Sequence, residues 1–218
     1  MTGKILVAIG LVGAGWMAPL EAQSRFVFNT GGGISTPLNP TGAYTGLSGN
    51  FKVGAGYALN SKNSIDGEFL WSGLPPDITN LHPVNSPSGN MNIYSLTVNW
   101  RHHIDSVGHS PFGVYTIMGG GWYYRYATID KNYTVLPGTA CAPIYTWWGY
   151  ACDPSGYVYS QTVASRGTSA GGMNAGVGFT MRISDSGWKF YTESRYHYAF
   201  SDRIATTFIP VTFGIRFN

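Results

Sequence analysis

The chain has 218 residues, with 13 basic and 10 acidic side chains and a formal net charge of +3. Charged residues make up only 11% of the sequence, less than half the share of about 25% in soluble domains, which argues against disorder. So slight a positive charge, without a basic run, gives no basis for nucleic-acid binding. The abundance of glycine (30 residues) and of aromatic residues (15%) favours a β-protein over a long-helix protein.

The N-terminal segment has the pattern of a secretory signal peptide. Lys4 precedes an uncharged stretch from Ile5 to Leu20, and Ala22 provides a small residue at a cleavage position. We therefore expect residues 1–22 to be removed on export and residues 23–218 to form the mature protein. A permanent helical anchor is the alternative, but the apolar run is too short to span a bilayer comfortably.

Eight segments alternate apolar and polar side chains with a period of two, which predicts eight β-strands. Their approximate bounds are 25–33, 49–59, 64–72, 91–103, 111–126, 168–183, 188–200 and 207–217. The second segment is the clearest, with Phe51, Val53 and Tyr57 on one face and Lys52 with small residues on the other. The fifth segment is so rich in glycine and aromatic residues that its inward face stays unassigned. The number of strands between residues 111 and 183 could differ by one hairpin.

The connections between these segments alternate in length. Short links follow the second, fourth and sixth strands, whereas longer links follow the first, third, fifth and seventh. The longest link runs from Ala127 to Gly167. Membrane barrels show this alternation, with tight turns on the periplasmic side and longer loops outside. The sequence therefore predicts an all-β, eight-stranded, antiparallel, up-and-down transmembrane β-barrel with both termini in the periplasm.

The two faces of the predicted strands suit lipid on one side and a packed lumen on the other. Aromatic residues lie near the strand ends of the apolar face, as in the aromatic girdles of membrane barrels: Tyr57, Trp71, Trp100, Trp188, Tyr198 and Phe217. The polar face is rich in small residues and carries charges of both signs, which we expect to point inward: Lys52, Asp66, Glu68, Arg101, Arg182, Glu193, Arg195 and Arg216. Because a buried charge needs a partner, these residues predict a salt-bridged plug, with a narrow pore for small solutes as the alternative.

The signal peptide, the eight alternating segments and the ending Val211-Thr212-Phe213-Gly214-Ile215-Arg216-Phe217 resemble small outer-membrane β-barrel proteins of the OmpA- and OmpX-like kind. The resemblance implies a location in the outer membrane of a Gram-negative-type cell, in contact with its lipid. It also implies that the final strand, with Phe213, Ile215 and Phe217, is recognised by the barrel-assembly machinery. Asn218 departs from that pattern, because the aromatic residue is usually the last. No segment resembles the peptidoglycan-binding domain of larger OmpA-like proteins, so a cell-wall tether is not implied.

The segment 127–167 contains both cysteines of the chain, Cys141 and Cys152. In an oxidising compartment we expect them to pair, which would stabilise the short loop by roughly 3 kcal/mol in the chain-entropy model; two free thiols are the alternative. Aromatic residues surround them, and Tyr and Trp are favoured anchors at interfaces. We expect these rings to form an outward-facing contact surface for glycans, another cell or another copy of the protein, unless they pack on one another: Tyr145, Trp147, Trp148, Tyr150, Tyr157 and Tyr159.

Catalysis finds little support in the sequence. Lipid A deacylases, which are outer-membrane barrels of similar size, have a His and a Ser two positions apart on a strand, near an acidic residue. Here Glu193, His197 and Ser201 are spaced by four, which favours an inward hydrogen-bonded pair of Glu193 with His197. A lipid A-modifying hydrolase is thus the less favoured alternative, and we expect no enzyme activity. A soluble secreted barrel that holds a ligand is a further alternative.

A metal site is suggested only by a short cluster of imidazoles and a carboxylate, His102, His103, Asp105 and His109. Such side chains could bind Zn²⁺ or Ni²⁺, but adjacent histidines on a strand point to opposite faces. We interpret the cluster as a polar turn below the membrane and expect neither a metal nor a cofactor.

Overall fold

The computed structural model describes residues 25–77, 88–104, 111–136, 142–147, 149–153, 157–183, 187–201 and 204–217. Within these ranges the chain is β-structure apart from connections and one short 3₁₀ turn, Thr41–Ala43. The strands are β1 (Phe26–Pro37), β2 (Ser48–Ala58), β3 (Asn63–Gly73), β4 (Ser88–His103), β5 (Phe112–Val135), β6 (Ala142–Thr146), β7 (Gly149–Asp153), β8 (Tyr157–Arg182), β9 (Lys189–Ala199) and β10 (Thr206–Phe217). None of the described residues belongs to a helix long and apolar enough to cross a bilayer. The expected signal peptide, residues 1–22, lies outside the described residues.

Eight of the strands form one closed antiparallel barrel with the ring order β1-β10-β9-β8-β5-β4-β3-β2. The ring closes between the first and last strands, where Phe28 lies opposite Phe217 and Ile34 lies opposite Val211. Neighbours in the ring are consecutive along the chain, except that β6 and β7 form a separate hairpin between β5 and β8. The predicted all-β, eight-stranded, antiparallel, up-and-down barrel is confirmed.

The barrel has two unlike ends. The links β2–β3, β4–β5 and β8–β9, the start of β1 and the end of β10 lie at one end, which we call the turn end. The remaining links lie at the other, the loop end, where the segment after β1 folds against the start of β10. There the Thr41 hydroxyl donates a hydrogen bond to the Ala205 carbonyl (3.2 Å) and accepts one from the Thr207 backbone N–H (2.8 Å). A single bridge between Thr45 and Pro76 joins the same segment to the link that follows β3.

The alternation of each strand separates an outer face from the lumen. In β2, Lys52 is buried, whereas the neighbouring Phe51 and Val53 are 47% and 38% exposed on the outside. The glycine-rich β5, whose faces the sequence left open, points Tyr115 and Tyr123 into the lumen, where both are buried. Apolar rows thus face outward and polar rows inward, the arrangement of a transmembrane barrel.

The segment 127–167 was predicted to be a long loop, and this prediction is wrong for most of it. β5 continues to Val135 and β8 begins at Tyr157, so that the two strands extend together well beyond the other six. Both faces of β8 are exposed from 158 to 167, so neither face needs a row of apolar side chains. The sequence therefore shows no period-two pattern there that would reveal the extension. β6 and β7 add the extra hairpin that the sequence left open, outside the barrel.

Candidate functional site

The lumen holds a buried network of charged side chains from five strands. Its described members are four cations and three carboxylates, each no more than 4% exposed: Lys52, Arg101, Arg195, Arg216, Asp66, Glu68 and Glu193. Arg182, which the sequence also placed in the interior, is exposed instead. It belongs to the lumen-facing row of β8, but it is the last residue of that strand and therefore lies at the rim of the turn end.

Ion pairs cross the lumen from wall to wall. Arg195 Nη2 on β9 lies 2.6 Å from Glu68 Oε2 on β3, and these two strands are diametrically opposite in the ring. Lys52 Nζ on β2 lies 2.6 Å from Glu193 Oε1 on β9. The same Glu193 oxygen lies 2.6 Å from Arg195 Nε, so both Glu193 and Glu68 serve more than one cation. Such sharing satisfies charges that burial would otherwise leave uncompensated.

Neighbouring polar side chains extend the network. Arg101 Nη1 lies 2.6 Å from Asp66 Oδ2 on the adjacent strand. Asn99 donates a hydrogen bond to Glu68 Oε2 (3.0 Å), and Asn174 donates one to Asn99 Oδ1 (2.9 Å), which links β8 to β4 and β3. Glu68 is therefore held by an amide as well as by cations, as a buried polar group requires.

Cations and aromatic rings alternate along one side of this network. The Tyr115 ring lies 5.1 Å from the Arg101 guanidinium and 4.9 Å from that of Arg216. The Arg216 guanidinium is also 4.9 Å from the Tyr191 ring, whose centroid lies 4.8 Å from Lys52 Nζ. Rings at these distances stabilise a cation by about 2 kcal/mol when both are desolvated. Arg216, which forms no ion pair with a described carboxylate, is held by rings instead.

A layer of apolar side chains lies between the charges and the loop end. The cluster consists of Leu70, Leu74, Met91, Ile93, Tyr123, Ala199 and Phe208. Between this layer and the charges, beside Leu70 and His197, lies a small cavity with room for about one water molecule. The apolar layer and the charges lie one above the other in the lumen as two chemically different layers.

The expected pair of Glu193 with His197 does not form. The two residues share the lumen-facing row of β9, but four residues of strand separate them by roughly 13 Å. His197 Nδ1 instead lies 2.9 Å from the Tyr123 hydroxyl, and its ring stacks on Phe208 at 4.9 Å. Glu193 binds Lys52, as described, and accepts a hydrogen bond from the Tyr115 hydroxyl (2.8 Å).

The histidine cluster is only partly described. His102 Nδ1 lies 2.8 Å from Asn63 Oδ1, and the His103 ring lies 5.5 Å from the Tyr115 ring. Asp105 and His109 lie outside the described residues. In the described part of the chain, no three His, Cys, Asp or Glu side chains are grouped as a metal site would need.

Two belts of aromatic side chains ring the outer surface. At the turn end, Phe26 contacts Tyr57 edge-on at 5.5 Å, and Phe112 stacks on a neighbouring ring. Towards the loop end, Tyr94 and Tyr124 stack at 6.4 Å between ring centroids. Apolar side chains fill the band between the belts, which is the surface of a barrel surrounded by hydrocarbon.

The expected assembly signal lies on the outer face of β10. Phe213 and Ile215 are 48% and 38% exposed there. Phe217 stacks on Phe28 of β1 at 5.6 Å and on Trp188 at 5.1 Å. The C-terminal aromatic residue is therefore part of the turn-end belt.

We call the extension of β5 and β8 beyond the barrel the ribbon, 127–135 paired with 157–166. β4 supports its base, where Ser88 lies opposite Asp130. Further out the two strands pair only with each other, and the Tyr133 and Tyr159 rings stack at 5.3 Å. No described strand pairs with the other edge of β8 between Ser160 and Ala170.

The expected contact residues lie on the ribbon and at its tip. Tyr145 and Tyr150 are opposite each other in the β6–β7 hairpin, and Tyr157 lies opposite Val135 at the outer end of the ribbon. Trp147, in the hairpin turn, is 84% exposed. Trp148 lies outside the described residues.

The expected disulfide is not tested, because Cys141 lies outside the described residues. The backbone of Cys152 lies opposite Pro143 in the β6–β7 hairpin. Pairing of the two cysteines therefore stays a prediction.

Several solved structures resemble the barrel, among them the following two. Neisserial surface protein A (NspA) is 13% identical, with a TM-score of 0.51 over 89% of this chain and 97% of that chain. A major outer membrane protein from Thermus thermophilus is 9% identical, with a TM-score of 0.54 over 88% of this chain and 98% of that chain. No protein-family model matches the chain, and no curated protein matches it significantly. The chain therefore has the fold of small, eight-stranded outer-membrane β-barrel proteins, the OmpA- and OmpX-like fold that its sequence resembles.

Proposed function

We propose that the protein is an outer-membrane surface protein whose closed barrel holds the ribbon outside the cell. There the ribbon contacts a glycan, another cell or another copy of the protein. The observation that carries this proposal is the free edge of β8 between Ser160 and Ala170, displayed on a barrel with a filled lumen. The proposal includes export by removal of residues 1–22 and insertion by the barrel-assembly machinery, which would read Phe213, Ile215 and Phe217.

The outer surface supports a position in lipid, with the turn end in the periplasm. β1 and β10 have 12 residues each, and β2, β3 and β9 have 11. A tilted strand needs about 9–11 residues to cross a bilayer. Leu96, Val98 and Met173 are 59%, 62% and 54% exposed on the outer face, and this exposure is favourable only against hydrocarbon.

The filled lumen supports a structural barrel rather than a pore. A solute that crossed it would have to separate the Glu68–Arg195 pair and then displace the apolar layer. Separating the pair leaves buried charges without partners, which costs several kcal/mol. Displacing the layer exposes apolar side chains that are now buried, which is also unfavourable. A narrow pore for small solutes is the less favoured function of the same barrel.

The ribbon supports a role in recognition. Between Ser160 and Ala170 the edge of β8 extends over roughly 35 Å and presents backbone N–H and C=O groups that no described strand pairs. Proteins usually protect such edges with charges or proline, because an exposed edge pairs with other strands. This stretch carries only one charged residue, Arg166, and no proline. Aromatic residues at the tip, among them the exposed Trp147, provide anchors of the kind that dominate interfaces.

The experiment compares cell adhesion and self-association of cells that display the wild type and three variants. Deletion of residues 137–154 removes the tip, and Val163→Lys places a charge on the free edge. Ile129→Lys is the matched control, because Ile129 is similarly exposed (46% against 53%) but lies on β5, which has strands on both sides. We expect the deletion and Val163→Lys to reduce contact and Ile129→Lys to preserve it. Unchanged contact in both the deletion and Val163→Lys would remove the proposed role. Heat-modifiable gel mobility reports whether each barrel is folded.

A further inference from the structure

Three cations lie side by side at the turn end of the lumen. Arg182 of β8 is directly opposite Lys189 of β9, which is directly opposite Arg216 of β10. All three belong to the lumen-facing rows of their strands. Like charges directly opposite each other on neighbouring strands destabilise a sheet. The arrangement is therefore unfavourable unless something of opposite charge lies against it.

The described residues supply opposite charge only from a distance, since Asp66 and Glu193 attract Arg216 from beyond ion-pair distance. None of their carboxylates forms an ion pair with Arg182, Lys189 or Arg216. The buried cations also outnumber the buried carboxylates, four to three, before the two residues at the rim are added. Among the described residues, the turn end of the lumen thus carries more cations than carboxylates.

Unpartnered hydrogen-bond donors lie in the same row. Arg216 is 3% exposed, and within the described part of the chain its Nε and Nη1 have no hydrogen-bond partner, whereas Nη2 donates to the Tyr115 hydroxyl at 3.3 Å. On the other side of Arg216, directly opposite on β1, lies Asn29, which is also 3% exposed and whose amide nitrogen and oxygen both lack a partner among the described residues. Buried donors without acceptors cost free energy, so the site favours a ligand that accepts hydrogen bonds.

We propose that this end of the lumen binds an oxyanion of the phosphate class, held by Arg216, Lys189 and Asn29. Tyr115 and Tyr191 hold the Arg216 guanidinium by its faces, which leaves its remaining N–H groups for a ligand. Guanidinium groups bind phosphate through paired charge-assisted hydrogen bonds. Lys189 is only partly buried, so solvent and small anions reach this level from the turn end. Arg182, at the rim, draws anions towards the site.

The test uses the full protein in an uncharged alkyl maltoside detergent, titrated calorimetrically with inorganic phosphate. We expect saturable binding by the wild type. Arg216→Met and Lys189→Met each remove one cation and should weaken the affinity by at least about tenfold, since hydrogen bonds to charged groups contribute about 1.5–3 kcal/mol. Lys62→Met is the matched control, because Lys62 is exposed in the turn between β2 and β3 at the same end. It should leave the Kd unchanged.

A second measurement keeps the test independent of any one variant. Phosphate should raise the thermal unfolding midpoint of the wild type, and the rise should be smaller in Lys189→Met. The Lys189 side chain is partly exposed, so we expect this variant to fold more readily than Arg216→Met. Absence of saturable phosphate binding to the folded wild type would overturn the proposal. Equal weakening by Lys62→Met would overturn it too, because it would show non-specific attraction to the turn end.

A third arm identifies where the phosphate group comes from. Vesicles of phosphatidylglycerol in phosphatidylcholine are compared with vesicles of phosphatidylcholine alone, with the barrel inserted in each. If the anionic lipid competes with free phosphate, the site takes a lipid headgroup. If phosphate binds equally in both, the site takes a soluble anion from the periplasm. Both results support the oxyanion site, and they differ only in its natural source.

Discussion

Replacing Glu68 by Gln tests how strongly the lumen depends on its ion pairs. The Glu68 carboxylate lies 2.6 Å from Arg195, 3.4 Å from Arg101 and 3.7 Å from Lys52, and it accepts a hydrogen bond from Asn99 at 3.0 Å. Gln has nearly the same shape but no charge. The amide nitrogen of Gln would also face N–H donors, such as those of Arg195 and Asn99, at a position where the Glu68 carboxylate accepts hydrogen bonds. The substitution therefore removes electrostatic attraction without creating a cavity.

The size of the effect follows from the charges that remain. The buried cations would outnumber the buried carboxylates by four to two instead of four to three. Removing one partner of a buried ion pair costs about 3–5 kcal/mol. Arg195 keeps its second carboxylate, Glu193, at 2.6 Å, so we expect the lower end of that range, about 3 kcal/mol, or roughly a hundredfold in the folding equilibrium.

The assay is urea unfolding of the protein in lipid vesicles, followed by tryptophan fluorescence. Asp130→Asn is the matched control, because this carboxylate lies in the ribbon and accepts a hydrogen bond from Thr162 in an exposed position. It should change the free energy of unfolding by no more than about 0.5 kcal/mol. The double variant Glu68→Gln, Arg195→Met should recover part of the loss, since it removes both charges. A loss below about 1 kcal/mol for Glu68→Gln, similar to the control, would refute the reasoning and indicate that water screens the lumen.

Four further outcomes are expected. The protein reconstituted in planar bilayers should give no reproducible single-channel steps, and such steps would favour the pore. Tyr191→Phe should leave the unfolding free energy nearly unchanged, because no described residue forms a hydrogen bond with the hydroxyl. Tyr191→Leu removes both cation contacts and should lower the unfolding free energy by about 2 kcal/mol. Gly119→Ala should destabilise by at least about 1 kcal/mol because its methyl group would overlap a carbonyl oxygen of β4, while Gly171→Ala, with open space around it, should not. Alkylation of the unfolded, unreduced protein should leave Cys141 and Cys152 unmodified if they are paired.

The barrel could be predicted from the sequence because lipid and lumen impose opposite demands on alternate residues. The alternation of Phe51, Lys52 and Val53 in β2 is enough to assign each side chain to a face. Partners could not be predicted in the same way. Lys52 meets Glu193, which is 141 residues away, and only the closed ring brings these two strands across from each other. A period-two pattern determines which face a side chain lies on, but not how many strands separate two residues around the ring.

The other differences between prediction and structure occur where the alternation of apolar and polar residues is not enough to place a side chain. Arg182 follows the inward row but reaches solvent because its strand ends there. Glu193 and His197 share a row, but a strand separates residues four apart much more than a helix does. In the ribbon both faces of β8 meet water, so the extension to Tyr157 leaves no periodic signal. The contact of Arg216 with the Tyr115 ring likewise depends on β5, which is distant in the chain from β10.

The Glu68–Arg195 pair has a mechanical consequence, because it joins walls on opposite sides of the ring. A hollow cylinder in a bilayer can become oval under lateral pressure, since bending its wall costs little. A short bond across the diameter acts as a spoke that resists this change of shape. The pair therefore resists flattening of the cross-section along the line that joins β3 and β9.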